Sequence, residues 1–187
     1  MEWIIFGLVV TWLGIVSWFD IRKYEIPHSA WVIIPLIGAC FYRVWQGDWA
    51  LVFLTVMITA VSERERLIRI VQREEIGRII TWLPLLLLGA YLSIHVSPFA
   101  ALAIIGFWVA WELKWWGGAD ALASMTIILI YPELLFIIAF LVVHVVISIG
   151  LAVRSLAKEK KVRLNKIPGL PLLLMAILLF QIMQVVF

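Results

Sequence analysis

The stretch that decides the fold is IITWLPLLLLGAYLSIHVSPFAALAIIGFWVAW, Ile79–Trp111. It runs for 33 residues without an aspartate, glutamate, lysine or arginine. As one helix it would be roughly 50 Å long, too long for a single crossing of a ~30 Å hydrocarbon core. His95-Val96-Ser97-Pro98 lies near its middle and is a natural turn. The stretch therefore reads as two helices. Ala121–Val153 reads the same way, because only Pro132-Glu133 interrupts it.

Working outward, the remaining charge-free runs are Trp3–Phe19, Ile26–Tyr42 (with His28 near its start), Trp49–Ser62 and Ile167–Phe187. The expected fold is all-α: a polytopic transmembrane bundle of six to eight helices, eight by this count. It forms a single integral membrane domain over residues 1–187, with no second domain. Composition agrees. Of the 187 residues 65% are hydrophobic and 14% charged, and the mean hydropathy is +1.09. Soluble domains run roughly 45–50% apolar and about 25% charged. A soluble globular enzyme and a disordered chain are both excluded. One cysteine, Cys40, excludes a disulfide framework and a multi-thiolate metal site. Met1-Glu2-Trp3 lacks a basic n-region and no small-residue cleavage site follows the first apolar run, so no cleavable signal peptide is expected.

The basic residues orient the bundle. Lys and Arg number 15 against 12 Asp and Glu, a surplus that reads as topology rather than as nucleic-acid binding. With eight crossings, Arg22, Lys23, the five arginines of residues 62–78, Lys114 and the six basic residues of 154–166 share one side. Arg43 alone falls on the other. The positive-inside rule makes the rich side cytoplasmic and puts both termini outside. Trp49–Ser62 covers only about 21 Å. Were it not to cross, five arginines would move outside, so it is expected to continue as a cytoplasmic helical extension over residues 62–78. Glu65/Arg69 and Glu74/Arg78 are i,i+4 pairs there, and Leu67, Ile70 and Val71 share a face. Such a helix suits an anionic lipid surface, or substrate docking. The tryptophans, Trp18, Trp31, Trp45, Trp49, Trp82, Trp115 and Trp116 among them, cluster near span ends as an aromatic belt.

Two aspartates stand out. Asp20 ends the first span and Asp120 opens the sixth, after Gly117-Gly118-Ala119. An ionisable residue at a membrane edge is costly and suggests function. Each alone also fits a plainer role: Asp20 as an interfacial partner of Arg22 or Lys23, Asp120 as an N-cap. Four crossings separate them, and an even number returns the chain to the same side. Two carboxyls at one depth can share a proton and activate water against a peptide carbonyl. The small residues 117–119 would let an extended substrate approach, or serve as a turn or a close helix contact. From helix ends alone, Asp20 (negative end) would hold the resting proton and Asp120 (positive end) the charge.

These residues resemble the type IV prepilin peptidase family. The resemblance rests on Asp20-Ile21-Arg22-Lys23-Tyr24-Glu25-Ile26-Pro27, on Gly117-Gly118-Ala119-Asp120 opening a later helix, and on the proline-containing Ile167-Pro168-Gly169-Leu170-Pro171. Alanine before the second aspartate is similar to the archaeal preflagellin and prepilin peptidase branch. The resemblance implies a GxGD-type membrane aspartic protease without cofactor or metal. Asp20 and Asp120 would be its catalytic pair, and Gly117, Gly118 and Ala119 would shape the site. The partners implied are the lipid bilayer and a pilin- or flagellin-like precursor with a class III signal peptide, and no nucleic acid. The precursor's short basic leader would be cut at the cytoplasmic face. The spacing between the aspartates, about 100 residues, is longer than the family pattern. The cysteine-rich extension that accompanies N-methylation in larger relatives is missing, so methyl transfer is not expected.

Rival chemistries lack residues. No HExxH-like motif holds His28, His95 or His144. Ser93 and His95 lie near each other outside any Gly-rich setting, and no lysine is membrane-embedded for a Ser–Lys dyad. A presenilin or signal-peptide-peptidase relative would carry Tyr-Asp where Phe19-Asp20 stands, with Pro168-Gly169-Leu170 a distant echo of its Pro-Ala-Leu motif. A proton-coupled transporter would carry its carboxylates near the midplane. Glu25, Glu112, Glu63 and Glu65 either attract a basic leader or serve as solvated partners of arginines.

Overall fold

The computed structural model describes residues 2–23, 29–64, 79–159 and 169–186. The described residues are helical throughout apart from short turns, with no strand among them. The helices are α1 (Glu2–Lys23), α2 (Ile34–Trp45), α3 (Trp49–Ser62), α4 (Ile79–Val96), α5 (Pro98–Glu112), α6 (Gly118–Ile130), α7 (Leu134–Glu159) and α8 (Gly169–Val186). A π-helical turn, Ser29–Ile33, leads into α2. Two segments, Trp3–Arg22 and Gly169–Val186, are long and apolar enough to cross a membrane. The apolar stretches of the other helices run 10–17 residues. The expected cytoplasmic extension lies outside the described residues beyond Arg64, as do His28, Glu25 and Glu65.

Both divided stretches break where expected. Val96 ends α4 and Pro98 opens α5, with Ser97 extended between them (φ −141°, ψ 73°). A proline ring clashes with a helical residue before it but suits the first helical turn, where its missing N–H costs nothing. Tyr131–Glu133 separates α6 from α7 in the same way. Several boundaries differ from expectation: α6 begins at Gly118 rather than Ala121, and α7 runs past Val153 to Glu159. Helix α1 runs past Phe19 to Lys23, because charged residues do not end a helix whose backbone bonds continue. The second run begins as the π-turn and ends at Trp45 rather than Tyr42.

The chain forms two compact units. In the first, residues 1–27 and 134–187, α8 packs on α1 and on α7. Val9, Leu13, Val16 and Ser17 make the buried face of α1 at helical spacing. Leu170, Leu173, Ile177 and Phe180 make that of α8. Phe136 of α7 meets Phe180 edge to face at 5.8 Å, the favoured aromatic geometry.

The second unit, residues 28–133, holds α2–α6. Helix α3 packs against α4, α5, α2 and α6, burying Leu51, Leu54, Thr55, Ile58 and Val61. Gly89 of α4 permits close approach: a Cβ there would lie 3.1 Å from the Phe53 ring and 3.3 Å from Leu54 Cα. Helix α6 is buried along nine consecutive residues, Ala121 to Leu129, the mark of a helix enclosed on all sides.

Polar contacts fix the direction of these helices. At one end the α2–α3 turn, closed by Gly47 at φ +87°, meets the α4–α5 turn. There Asp48 pairs with Arg43 at 2.9 Å and accepts from Ser97 Oγ at 3.1 Å. At the other end Ser62 Oγ, at the close of α3, donates to Glu112 Oε1, at the close of α5, at 2.9 Å. Arg43 and Arg64 therefore stand at opposite ends of α3.

Candidate active site

The Asp120 region is built from the α5–α6 connection. After Glu112 the chain turns through Lys114, whose φ of 58° is left-handed. Trp115 N–H and Trp116 N–H both donate to Ala110 O, at 2.9 and 3.2 Å. Trp116 stacks on Phe107 with centroids 5.3 Å apart. This folds the connection back on α5 and delivers Gly117 as the N-cap of α6 (φ −71°, ψ 149°). Asp120 is therefore not the N-cap. It is the third residue of the first turn, where a carboxylate can reach back toward the cap and the unpaired N–H groups favour negative charge. Its Oδ2 lies 3.3 Å from where a Cβ on Gly117 would stand. Gly118 is covered by the Trp111 indole, three of whose atoms lie 3.0 Å from a would-be Cβ. Close packing thus accounts for Gly118. Ala119, between them and the aspartate, is half-buried.

Asp20 belongs to the first unit, in the last turn of α1. The Leu170 backbone N–H hydrogen-bonds to its carboxyl group. Leu170 is in the first turn of α8, where an N–H has no partner within its own helix, so Asp20 supplies one. Asp20 Oδ2 is buried and makes no hydrogen bond among the described residues. Arg22, a partner offered by the sequence, instead holds its guanidinium over the Trp18 ring, 4.2 Å from the centroid. The negative end of α1 and the positive end of α8 both act on Asp20, in opposite senses. Helix ends therefore do not assign the resting proton to Asp20.

Other candidates have structural partners. Glu112 Oε1 accepts from Ser62 Oγ at 2.9 Å and Trp108 Nε1 at 3.3 Å and lies 3.8 Å from Arg64 Nη1, which favours its reading as a partner of arginine. His95 Nδ1 bonds Tyr91 O at 2.8 Å and packs on the Tyr91 ring. His144 packs against Phe140, centroids 4.6 Å apart. Sequence reasoning missed the Arg43–Asp48–Ser97 cluster. Its signal was present, since Asp48 immediately precedes an apolar run and follows Gly47, and Asp48 Oδ1 accepts from Leu51 N–H at 3.3 Å as a helix cap.

No protein-family model, no curated protein and no solved structure matches the chain.

Proposed function

We propose that this chain is a multi-pass membrane aspartic endopeptidase of the type IV prepilin peptidase kind, resembling its archaeal preflagellin and prepilin peptidase branch. It removes short basic leaders from pilin- or flagellin-like precursors at the cytoplasmic face. Asp20 and Asp120 are the catalytic pair. The observation that carries this reading is that both aspartates meet the first turn of a helix. Asp120 does so in α6, and Asp20 through Leu170 N–H of α8. The backbone N–H groups of such a turn steady a carboxylate in an apolar protein. Large apolar side chains are exposed along α1, α4, α7 and α8, as lipid-facing surfaces would be. Trp18, Trp45, Trp49 and Trp115 are exposed close to helix ends, in keeping with an interfacial belt.

In the hydrolysis the ionised carboxylate takes a proton from water as the water oxygen bonds to the scissile carbonyl carbon. The protonated carboxyl gives its proton to the carbonyl oxygen. The resulting diol collapses: the C–N bond breaks, the amine takes the proton held by the first carboxyl, and one hydroxyl proton returns to the second. Each carboxyl ends as it began, so the pair works without a metal.

Purified protein in detergent should cleave a pilin-like precursor at its leader junction, and Asp20→Asn and Asp120→Asn should each abolish cleavage while leaving insertion and yield unchanged. An amide cannot exchange the proton. Near wild-type cutting by either variant overturns the pair, and proton-coupled transport without cleavage would make the chain a transporter. Orientation is tested separately in a Cys40→Ser background. Trp45→Cys should react with an impermeant thiol reagent in intact cells, whereas Arg64→Cys should react only after lysis. Labelling of both in intact cells removes the crossing by α3.

A further inference from the structure

Five serines and threonines are buried among the described residues, and the hydroxyls of four of them have acceptors. Thr55, Ser124 and Thr126 bond the carbonyl four residues back, at 2.9, 2.9 and 2.7 Å. Ser93 crosses to Ala50 O at 2.8 Å. Ser17 is the exception: it is 4% exposed, yet its Oγ has no hydrogen-bond partner among the described residues. A helical serine normally satisfies itself at the i−4 carbonyl when nothing better is offered, and a buried polar group left unmade is costly.

Three residues on, Asp20 Oδ2 is also buried and without a partner among the described residues. Residues at i and i+3 share a helix face, with Cβ atoms about 5–6 Å apart. The two oxygens make no direct bond with each other. That spacing suits a single water bridging two acceptors. Leu170 N–H hydrogen-bonds to the Asp20 carboxyl group from α8 and restrains it. A serine hydroxyl both donates and accepts, so it can hold water whichever protonation state Asp20 adopts.

We propose that Ser17 Oγ and Asp20 Oδ2 form one polar subsite on α1 that binds a single water molecule, and that this is the water consumed in peptide hydrolysis. The second part rests on the peptidase reading; the first does not. Ser17 orients the water and exchanges no proton with it, so the bonds made and broken are those already given. Removing the hydroxyl leaves substrate binding intact and raises the barrier to attack.

The test uses the full-length protein in detergent with Ser17→Ala, Ser17→Thr and Ser17→Val. Infrared difference spectra in ordinary and ¹⁸O-labelled water should show one isotope-sensitive band from ordered water in the wild type and Ser17→Thr. The band should be missing in Ser17→Ala and Ser17→Val. With a pilin-like substrate, kcat should fall about tenfold in Ser17→Ala and Ser17→Val, as for loss of one hydrogen bond to a neutral partner. KM should hold, and Ser17→Thr should restore most of the rate. An unchanged water band in Ser17→Ala overturns the subsite. Loss of the band without a fall in kcat, in an enzyme that Asp20→Asn inactivates, overturns the role in hydrolysis alone. Full cleavage by Asp20→Asn would instead overturn the catalytic pair, and absence of cleavage by the wild type would remove the peptidase reading; either leaves the band to judge the subsite.

Discussion

The two ends of α3 are held by the same kinds of residue to different effect. At the end formed by the α2–α3 and α4–α5 turns, Arg43 and Asp48 are 15% and 9% exposed and meet at 2.9 Å. Asp48 also caps α3 and takes the Ser97 hydroxyl. At the end that carries the α5–α6 connection, Arg64 and Glu112 are 26% and 37% exposed and stand 3.8 Å apart. A desolvated pair whose carboxylate also accepts from a cap N–H and a hydroxyl ties two turns together, whereas an exposed pair at longer range is screened by solvent. The locked end is remote from Asp120. The more exposed end lies where the Gly117-Gly118-Ala119-Asp120 segment begins.

Three substitutions test that contrast. Asp48→Ala should have the largest effect on stability. It strips Arg43 of its partner and α3 of its cap, and should cost about 3 kcal/mol or more, read as a lower unfolding midpoint in detergent. A loss below about 1 kcal/mol would mean that the two ends are alike. Gly118→Ala comes next. The added methyl meets the Trp111 ring at 3.0 Å, and overpacking of this kind costs about 1–3 kcal/mol. Trp111→Leu in the same chain should recover most of that loss. Failure to recover would point to a need for glycine at 118 other than room for the indole. Glu112→Gln should be smallest, roughly 0–1 kcal/mol and diminished further by salt. A loss as large as that of Asp48→Ala would erase the distinction.

Much of the helix plan was legible in the sequence. The breaks at Ser97 and at Tyr131–Glu133 follow from proline chemistry, which is local, and α3 matches its charge-free run residue for residue. The π-turn at Ser29–Ile33 and the continuation of α1 to Lys23 were not legible. Hydropathy marks where a chain leaves an apolar phase and says nothing of where its backbone bonds stop. Asp20 and Asp120 could be singled out because an ionised side chain beside long apolar runs is rare for energetic reasons. Their surroundings could not. Asp20 lies about 150 residues from Leu170 in the chain, and no periodicity links a carboxylate to an N–H that far away.

What the sequence determined by itself is therefore the helical class, the places where helices end at proline, and the two carboxylates worth attention. Each follows from the solvation and backbone preferences of neighbouring residues. Only the tertiary structure decided that Gly117 caps α6 and Asp120 sits within its first turn, that Gly118 makes room for Trp111, and that Leu170 of α8 meets Asp20. It also decided that Ser17 is buried without the partner that other helical hydroxyls find. These are matters of which groups come within about 3 Å of one another, and that distance is set by how helices pack, not by the residues on either side.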